Sequence, residues 1–309
     1  MSLRQIKKAV VTGPTGAIGI ALCNELASSG IEVVAVCREG SARADALPDH
    51  PMITKVFCDI SRLENLKELV GCADAFFHLA WAHTIGDGRN DMGAQISNMQ
   101  YTIDAVRVAK ALCCSVFVGT GSQAEFGRVD GVITPDTPCF PENGYGIAKY
   151  SAGRMAKIEC EKLGLDFEWV RIFSVYGPHD GPLTMVSSVI TKLLKGEKPS
   201  LTAGIQLWDY LYSGDAARAL MLVAQKGVHG KTYLIANGQS DKLCEYIYII
   251  RDSIDKNLPL GIGEIPYPDG KIINLQADIS ELCEDTGFKP LTDFKSGIEK
   301  TIEYIRETL

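Results

Sequence analysis

Tyr145 and Lys149 stand four residues apart in the stretch "PENGYGIAKYSAG", which runs from Pro141 to Gly153. On a helix, positions i and i+4 share a face, so the Lys149 ammonium can lie beside the Tyr145 ring. A free tyrosine titrates at about pH 10. An adjacent ammonium favours the phenolate and is expected to bring it toward neutral pH, where it can exchange a proton. Ser122 ends the apolar run "SVFVGTGS" and offers a hydroxyl to the oxygen on which that proton would move. Tyr-x-x-x-Lys arises readily by chance, so reading Ser122, Tyr145 and Lys149 as a catalytic set depends on their surroundings.

The nearest supporting signal is at the start of the chain. "KKAVVTG" runs into Thr12-Gly13-Pro14-Thr15-Gly16-Ala17-Ile18-Gly19, a G-x-x-G-x-x-G spacing between a predicted strand and a predicted helix. It differs from the commoner G-x-G-x-x-G, but the physics is shared. It makes a tight turn, brings backbone without Cβ close to a pyrophosphate, and aims a helix N-terminus at that pyrophosphate. Gly13, Thr15, Gly16, Ile18 and Gly19 are expected to hold a nicotinamide dinucleotide. The second strand, "IEVVAVC", ends at Cys37-Arg38-Glu39-Gly40-Ser41. A carboxylate at this point would accept from the ribose 2′-hydroxyl of NAD, whereas an arginine suits a 2′-phosphate. Cys37 stands in the carboxylate's place and Arg38 follows, which favours NADP. Glu39 speaks for NAD, which stays the alternative. Asp59, ending the third strand "MITKVFCD", is expected to reach the adenine edge, with turn formation as its other reading.

These residues need a frame. Strand-like and helix-like segments alternate through the first half, from "KKAVVTG" and "AIGIALCNELASSG" to "FEWVRIFSVYG". The expected fold is α/β, a doubly wound parallel Rossmann sheet with a smaller, interleaved C-terminal α/β substrate domain. Residues 1–177 are expected to form the dinucleotide-binding domain, with 208–236 returning to it. Residues 178–207 and 237–309 mainly form the substrate domain.

Bulk properties narrow the function. The 309 residues are 46% hydrophobic and 22% charged, as in an ordinary globular chain. A net charge of −7 argues against a nucleic-acid binder. No apolar run approaches the roughly 18 residues that cross a bilayer, and no leader is expected. Ten cysteines are scattered from Cys23 to Cys283 without C-x-x-C, which reads as buried, reduced thiols in a cytoplasmic protein. No metal site is expected.

In order along the chain, "VVTGPTGAIG", "FFHLAW", "GTGSQAEFG", "YGIAK", "RIFSVYGP", "WDYLYSGDAARAL" and "ADISEL…TGFKP" resemble the extended short-chain dehydrogenase/reductase family. That family comprises the nucleotide-sugar epimerases, dehydratases and ketoreductases, and the resemblance covers nearly the whole chain. It implies that Ser122, Tyr145 and Lys149 are the catalytic residues and that Lys149 also holds the nicotinamide ribose. It adds Ile60, Leu79, Ala80, Thr120, Phe173 and Val175 to the cofactor site. Trp81, His83 and Ser174 join Ser122 in the sugar pocket, packing being the other reading for Trp81 and His83. His179 matches an acid position of the fucose-synthase-like members. Trp208 stands where galactose-type epimerases carry an arginine for the sugar-nucleotide phosphate. Relatives pair two long helices across a two-fold axis, so a homodimer is expected through Met155, Ile158 and Cys160 with Ile103, Val106 and Val108, a buried core against the sheet being the other reading for some of these residues.

The family's 4,6-dehydratases carry an acidic pair just after the active Ser or Thr. Here those places hold Gln123 and Ala124, and Glu125 comes too late, its side chain pointing away by strand alternation. Elimination needs a positioned acid and base, so dehydration is disfavoured. The expectation placed first is NADPH-dependent reduction of the C4 ketone of a nucleotide-linked 4-keto-6-deoxyhexose. NAD-dependent 4-epimerisation is the alternative. A non-enzymatic NADP-binding sensor is a further one, although such relatives typically lose the Tyr or Lys kept here.

Overall fold

The computed structural model describes residues 3–267 and 273–309. Seven short segments, β1 (Lys8–Thr12), β2 (Glu32–Cys37), β3 (Ile53–Phe57), β4 (Ala75–His78), β5 (Val116–Ser122), β6 (Asp166–Ile172) and β7 (Thr232–Ile235), carry apolar residues that alternate between two cores. Ala9, Val11, Phe77 and Val118 enter one core with Leu22, Leu26, Leu220 and Val223. Val10, Phe76 and Phe117 enter the other with Val106, Ala152 and Cys160. A sheet buried on both faces needs helices on both sides, which is the condition for parallel pairing. All seven strands pair in parallel, in the order β7-β6-β5-β4-β1-β2-β3. The order reverses between β1 and β4, and ligands of such sheets bind at that switch point, beyond the strand carboxyl ends.

The helices α1 (Ala17–Ser28) and α6 (Ser213–Lys226) cover one face, and α2 (Leu66–Val70), α3 (Met92–Ala111) and α4 (Gly144–Leu163) the other. A separate core gathers Val189, Ile190 and Leu193 of α5 (Met185–Leu194), Ile250 of α7 (Leu243–Ile254) and Ile298 and Ile302 of α9 (Phe294–Thr308), all around Tyr176. Short α8 (Ser280–Thr286) returns to the large sheet, where Leu282 and the nearby Phe288 join the α1–α6 core.

The structure decides between the two readings of the helix stripe and changes the expectation for the cysteines. Ile103, Val106, Val108 and Cys160 face the sheet and are core residues, so they cannot form an outer stripe with Met155 and Ile158. The exposed apolar residues of these helices are Ile96, Ile147, Met155 and Ile158. Only half of the cysteines are buried: Cys23, Cys37, Cys58, Cys114 and Cys160. Cys72 and Cys113 are exposed, and all ten are free thiols. Among the described residues, no helix is long and apolar enough to cross a membrane, and no cluster of His, Cys, Asp or Glu could hold a metal ion.

Candidate active site

The carboxyl ends of β1, β4 and β5 open onto two cavities of about 350 and 340 Å³, which share Gly13 and Trp81. The glycine turn shapes both. Gly13 has a φ of +69°, and a Cβ there would meet the Ala80 nitrogen at 2.7 Å. A Cβ on Gly19 would meet the Gly13 carbonyl oxygen at 2.3 Å, so the turn and α1 close up only without side chains. Gly16 caps α1 with no side-chain hydrogen bond to the first turn, leaving that turn's N–H groups free for an anion. The cradle therefore fits a dinucleotide pyrophosphate.

Gly16, Ile18, Gly19, Leu79, Thr120, Phe173 and Val175 line the first cavity together with Ser122, Tyr145, Lys149 and Trp81. Thr15, Arg38, Asp59, Ile60 and Ala80 line the second. Asp59 also caps a helical turn, accepting from the Ser61 backbone N–H at 2.9 Å and its hydroxyl at 2.7 Å. Ser41 and Arg43 stand beside Arg38, while Glu39 lines a different surface depression with Asn65 and Glu68.

The three catalytic candidates converge. Ser122 ends β5 and caps the turn Gln123–Glu125, its hydroxyl accepting from the Ala124 N–H at 3.2 Å. Tyr145 sits in the first turn of α4, which Asn143 caps by accepting from the Gly146 N–H at 2.9 Å. Lys149, one turn on, is 3% exposed and donates from Nζ to the Thr120 carbonyl at 2.6 Å. Its Nζ lies 3.9 Å from the centroid of the Trp81 ring and 5.9 Å from that of Tyr145.

The electrostatics reverse one expectation. Burial pushes the Tyr145 phenol above its ordinary range, and the Ser122 hydroxyl and the Arg89 guanidinium pull it partly back. Lys149 is not what draws it down, because its own ammonium is desolvated: burial lowers Lys149 to about 7, against the pull of Glu125. His78 supports the floor of the site. It is fully buried between the Thr12 hydroxyl, 3.0 Å from Nδ1, and the Thr102 hydroxyl, 3.4 Å from Nε2. Burial, with Lys149 nearby, depresses it to about 3 and keeps it neutral.

Four proposed substrate residues do not line either cavity. His83, at a φ of +60°, turns outward with Nδ1 3.9 Å from the Asp91 carboxylate. His179, at +65°, lies on the Tyr304 ring, 4.3 Å between centroids. The Trp208 indole N–H is taken up by the Ser174 hydroxyl at 2.8 Å, which turns both toward each other.

Other residues complete the site without a motif to announce them. Arg89 lies over the Tyr145 ring with Cζ 4.8 Å from its centroid. Buried Gln95 accepts from the Trp81 indole at 2.9 Å and donates to the His83 and Gly88 carbonyls. Asn98 holds both backbone groups of Ala82. Thr84 and Asp180 line the first cavity, and burial raises Asp180 although Thr184 and the Gly181 N–H bond it. Glu125 faces away from the cavities, as expected, but not by strand alternation: it ends the helical turn after β5, and its side chain folds back on the Ser122 N–H as the other half of a capping box. Its buried carboxylate accepts from the Ser122 N–H at 2.9 Å, the Trp169 indole at 3.1 Å and Arg171 Nε at 2.8 Å.

A family model described as "NAD dependent epimerase/dehydratase family" matches residues 9–236. A dTDP-glucose 4,6-dehydratase of Salmonella typhimurium is 29% identical over 180 residues, 56% of this chain and 50% of that protein. The chain thus spans about half the length of that curated relative. The solved structure of MoeE5 in complex with UDP-glucuronic acid and NAD is 26% identical, with a TM-score of 0.84 over 98% of this chain and 100% of that one. A UDP-N-acetylglucosamine 4-epimerase from Methanobrevibacter ruminantium M1 superimposes with a TM-score of 0.86 over 99% and 100% of the two chains. At 24% identity it bears on the fold alone.

Proposed function

We propose, from the premise that this chain belongs to the NAD-dependent epimerase/dehydratase family, that it is a nucleotide-sugar 4-epimerase. The observation that carries the reading is the convergence of Ser122, Tyr145 and Lys149 at the mouth of the glycine cradle, beside Gln123 and Ala124 where a dehydratase would need its acid and base. Relatives that handle nucleotide sugars with NAD weigh toward epimerisation rather than the net reduction that Arg38 puts first.

The residues divide the work. Gly13, Gly16 and Gly19 would hold the pyrophosphate of a nicotinamide dinucleotide, and Lys149 its ribose. When bound, that group supplies hydride acceptance and return at the sugar C4. As phenolate, the form that the Ser122 hydroxyl and the Arg89 guanidinium favour against burial, Tyr145 removes the proton from the C4 hydroxyl, and as phenol it later restores it to the same oxygen. Ser122 donates a hydrogen bond to that oxygen and keeps it against the phenol. Trp81, fixed by Gln95, walls off water from the reacting face.

One observation favours a second reading. Arg38, Ser41 and Arg43 line the adenosine side of the cradle, and no carboxylate ends β2. That set suits a 2′-phosphate and hence an exchangeable NADPH, with which the same triad would reduce a 4-keto sugar. Identifying the nucleotide released from denatured purified protein separates the two. Retained NAD supports the epimerase, and an empty site that takes up NADPH supports the reductase.

A further inference from the structure

The sulfurs of Cys72 and Cys113 lie 3.3 Å apart at the surface, before the amino ends of the interior strands β4 and β5, whose carboxyl ends open onto the catalytic cleft. They are the two exposed cysteines of the ten. Cys72 follows α2 and precedes β4, and Cys113 follows α3. The backbone around them is tied down. The Ala73 N–H donates to the Leu112 carbonyl at 2.8 Å, and the Ser115 N–H to the Asp74 carbonyl at 2.9 Å. The Asp74 carboxylate in turn accepts from the N–H groups of Lys7 and Lys8. Cys113 is one of three non-glycine residues among those described with a positive φ, at +62°. Such a conformation is strained and persists only where the surroundings impose it. Here it points the thiol at its neighbour.

We propose that Cys72 and Cys113 form a thiol-exchange site for small-molecule disulfides of the glutathione class, yielding an internal disulfide. One protein thiolate attacks a sulfur of the disulfide. A protein–glutathione bond forms and one glutathione thiolate leaves. The second protein thiolate then attacks the protein sulfur of that mixed bond and expels the second glutathione. The protein loses two electrons and two protons, and one glutathione disulfide becomes two thiols. Sulfurs already in contact favour the second step over persistence of the mixed disulfide. The hydrogen bond shared with Cys113 holds the Cys72 thiol above its ordinary range, against the pull of Lys8, so exchange speeds up at mildly alkaline pH.

The bond would close the chain around β4, the loop carrying Trp81 and Arg89, and α3 with its anchors Gln95 and Asn98. A cross-link of this span stabilises chiefly by restricting the unfolded chain.

The test treats the purified full chain with glutathione disulfide at mildly alkaline pH and maps peptides without reduction. The expected result is a peptide linked through Cys72 and Cys113, no retained glutathione on either, and a rise in melting temperature of about 5 °C that dithiothreitol reverses. Cys72→Ser should instead keep one glutathione on Cys113 and show no rise. The proposal is overturned if the native chain retains glutathione on either cysteine without a linked peptide, if both thiols stay free, or if the linked protein melts no higher.

Discussion

Arg89 places its guanidinium over the face of the Tyr145 ring, Cζ 4.8 Å from the centroid, with its Nε buried and without a hydrogen-bond partner among the described residues. The cation favours the phenolate over the neutral phenol, opposing the burial that raises Tyr145. Arg89→Ala should therefore move the phenol further up. The alkaline shift of the Tyr145-dependent limb in kcat/KM measures it, and an unmoved limb would remove Arg89 from this role.

Lys149 makes the unliganded protein's stability depend on pH. Its folded pKa, near 7, lies below the unfolded value of 10.5. Between those values the unfolded chain binds the extra proton, so stability rises with pH across that window. Below about pH 7 both states are charged and the full desolvation cost remains. Lys149→Met should raise the melting temperature most at and below neutral pH, with the gain shrinking toward pH 10. A gain independent of pH would contradict a buried ammonium.

The geometry of the cleft was legible where it depends on local spacing. The glycine turn, the helical Tyr145–Lys149 pair and Ser122 at a strand end are each specified within a few residues, and the two-sided apolar strands announce a parallel sheet. What was hidden depends on distant partners. Trp208 stands at the place of a substrate-binding arginine until Ser174, 34 residues away in sequence, takes its indole N–H. His83 and His179 are turned aside by positive φ angles that no residue type there foretells. Arg89 stands in a polar loop without periodicity, and its partner lies across the fold. The helix Leu243–Ile254 did leave a signal, since Tyr246, Ile247 and Ile250 have helical spacing and are its buried residues.

Glu125 supports Ser122 from behind and neutralises Arg171, which is 7% exposed. Removing one partner of a buried pair typically costs about 3–5 kcal/mol. Glu125→Ala should lower the denaturation midpoint by a corresponding amount and loosen Ser122, while Glu142→Ala, in an exposed pair with Arg128, should change stability little. Equal effects would contradict the assignment.

For cofactor choice, Arg38→Ala should weaken NADPH binding about tenfold to a hundredfold and leave NADH nearly unchanged, since one charge-assisted contact is worth about 1.5–3 kcal/mol. Titration of both nucleotides against both proteins decides it. Equal losses would mean that Arg38 does not read the 2′-phosphate.

Assembly is expected through the exposed residues Ile96, Ile147, Met155 and Ile158 of α3 and α4. Light scattering should give a dimer mass for the native chain and a monomer mass for Ile158→Glu. A monomeric native chain at micromolar concentration would contradict it.

Epimerisation at the sugar C4 requires reversible hydride chemistry with Tyr145 carrying the proton. Proton NMR of UDP-glucose, UDP-glucuronic acid and UDP-N-acetylglucosamine incubated with the native protein tests it most directly, while nicotinamide absorbance is followed. A C4 epimer of at least one of them should accumulate with no net change in reduced nicotinamide. Tyr145→Phe, which keeps the ring and loses only the proton, should slow this about a hundredfold to ten-thousandfold. No epimer from any of the three, with stoichiometric NADPH oxidation on a 4-keto-6-deoxy nucleotide sugar, would contradict the epimerase and establish the reductase.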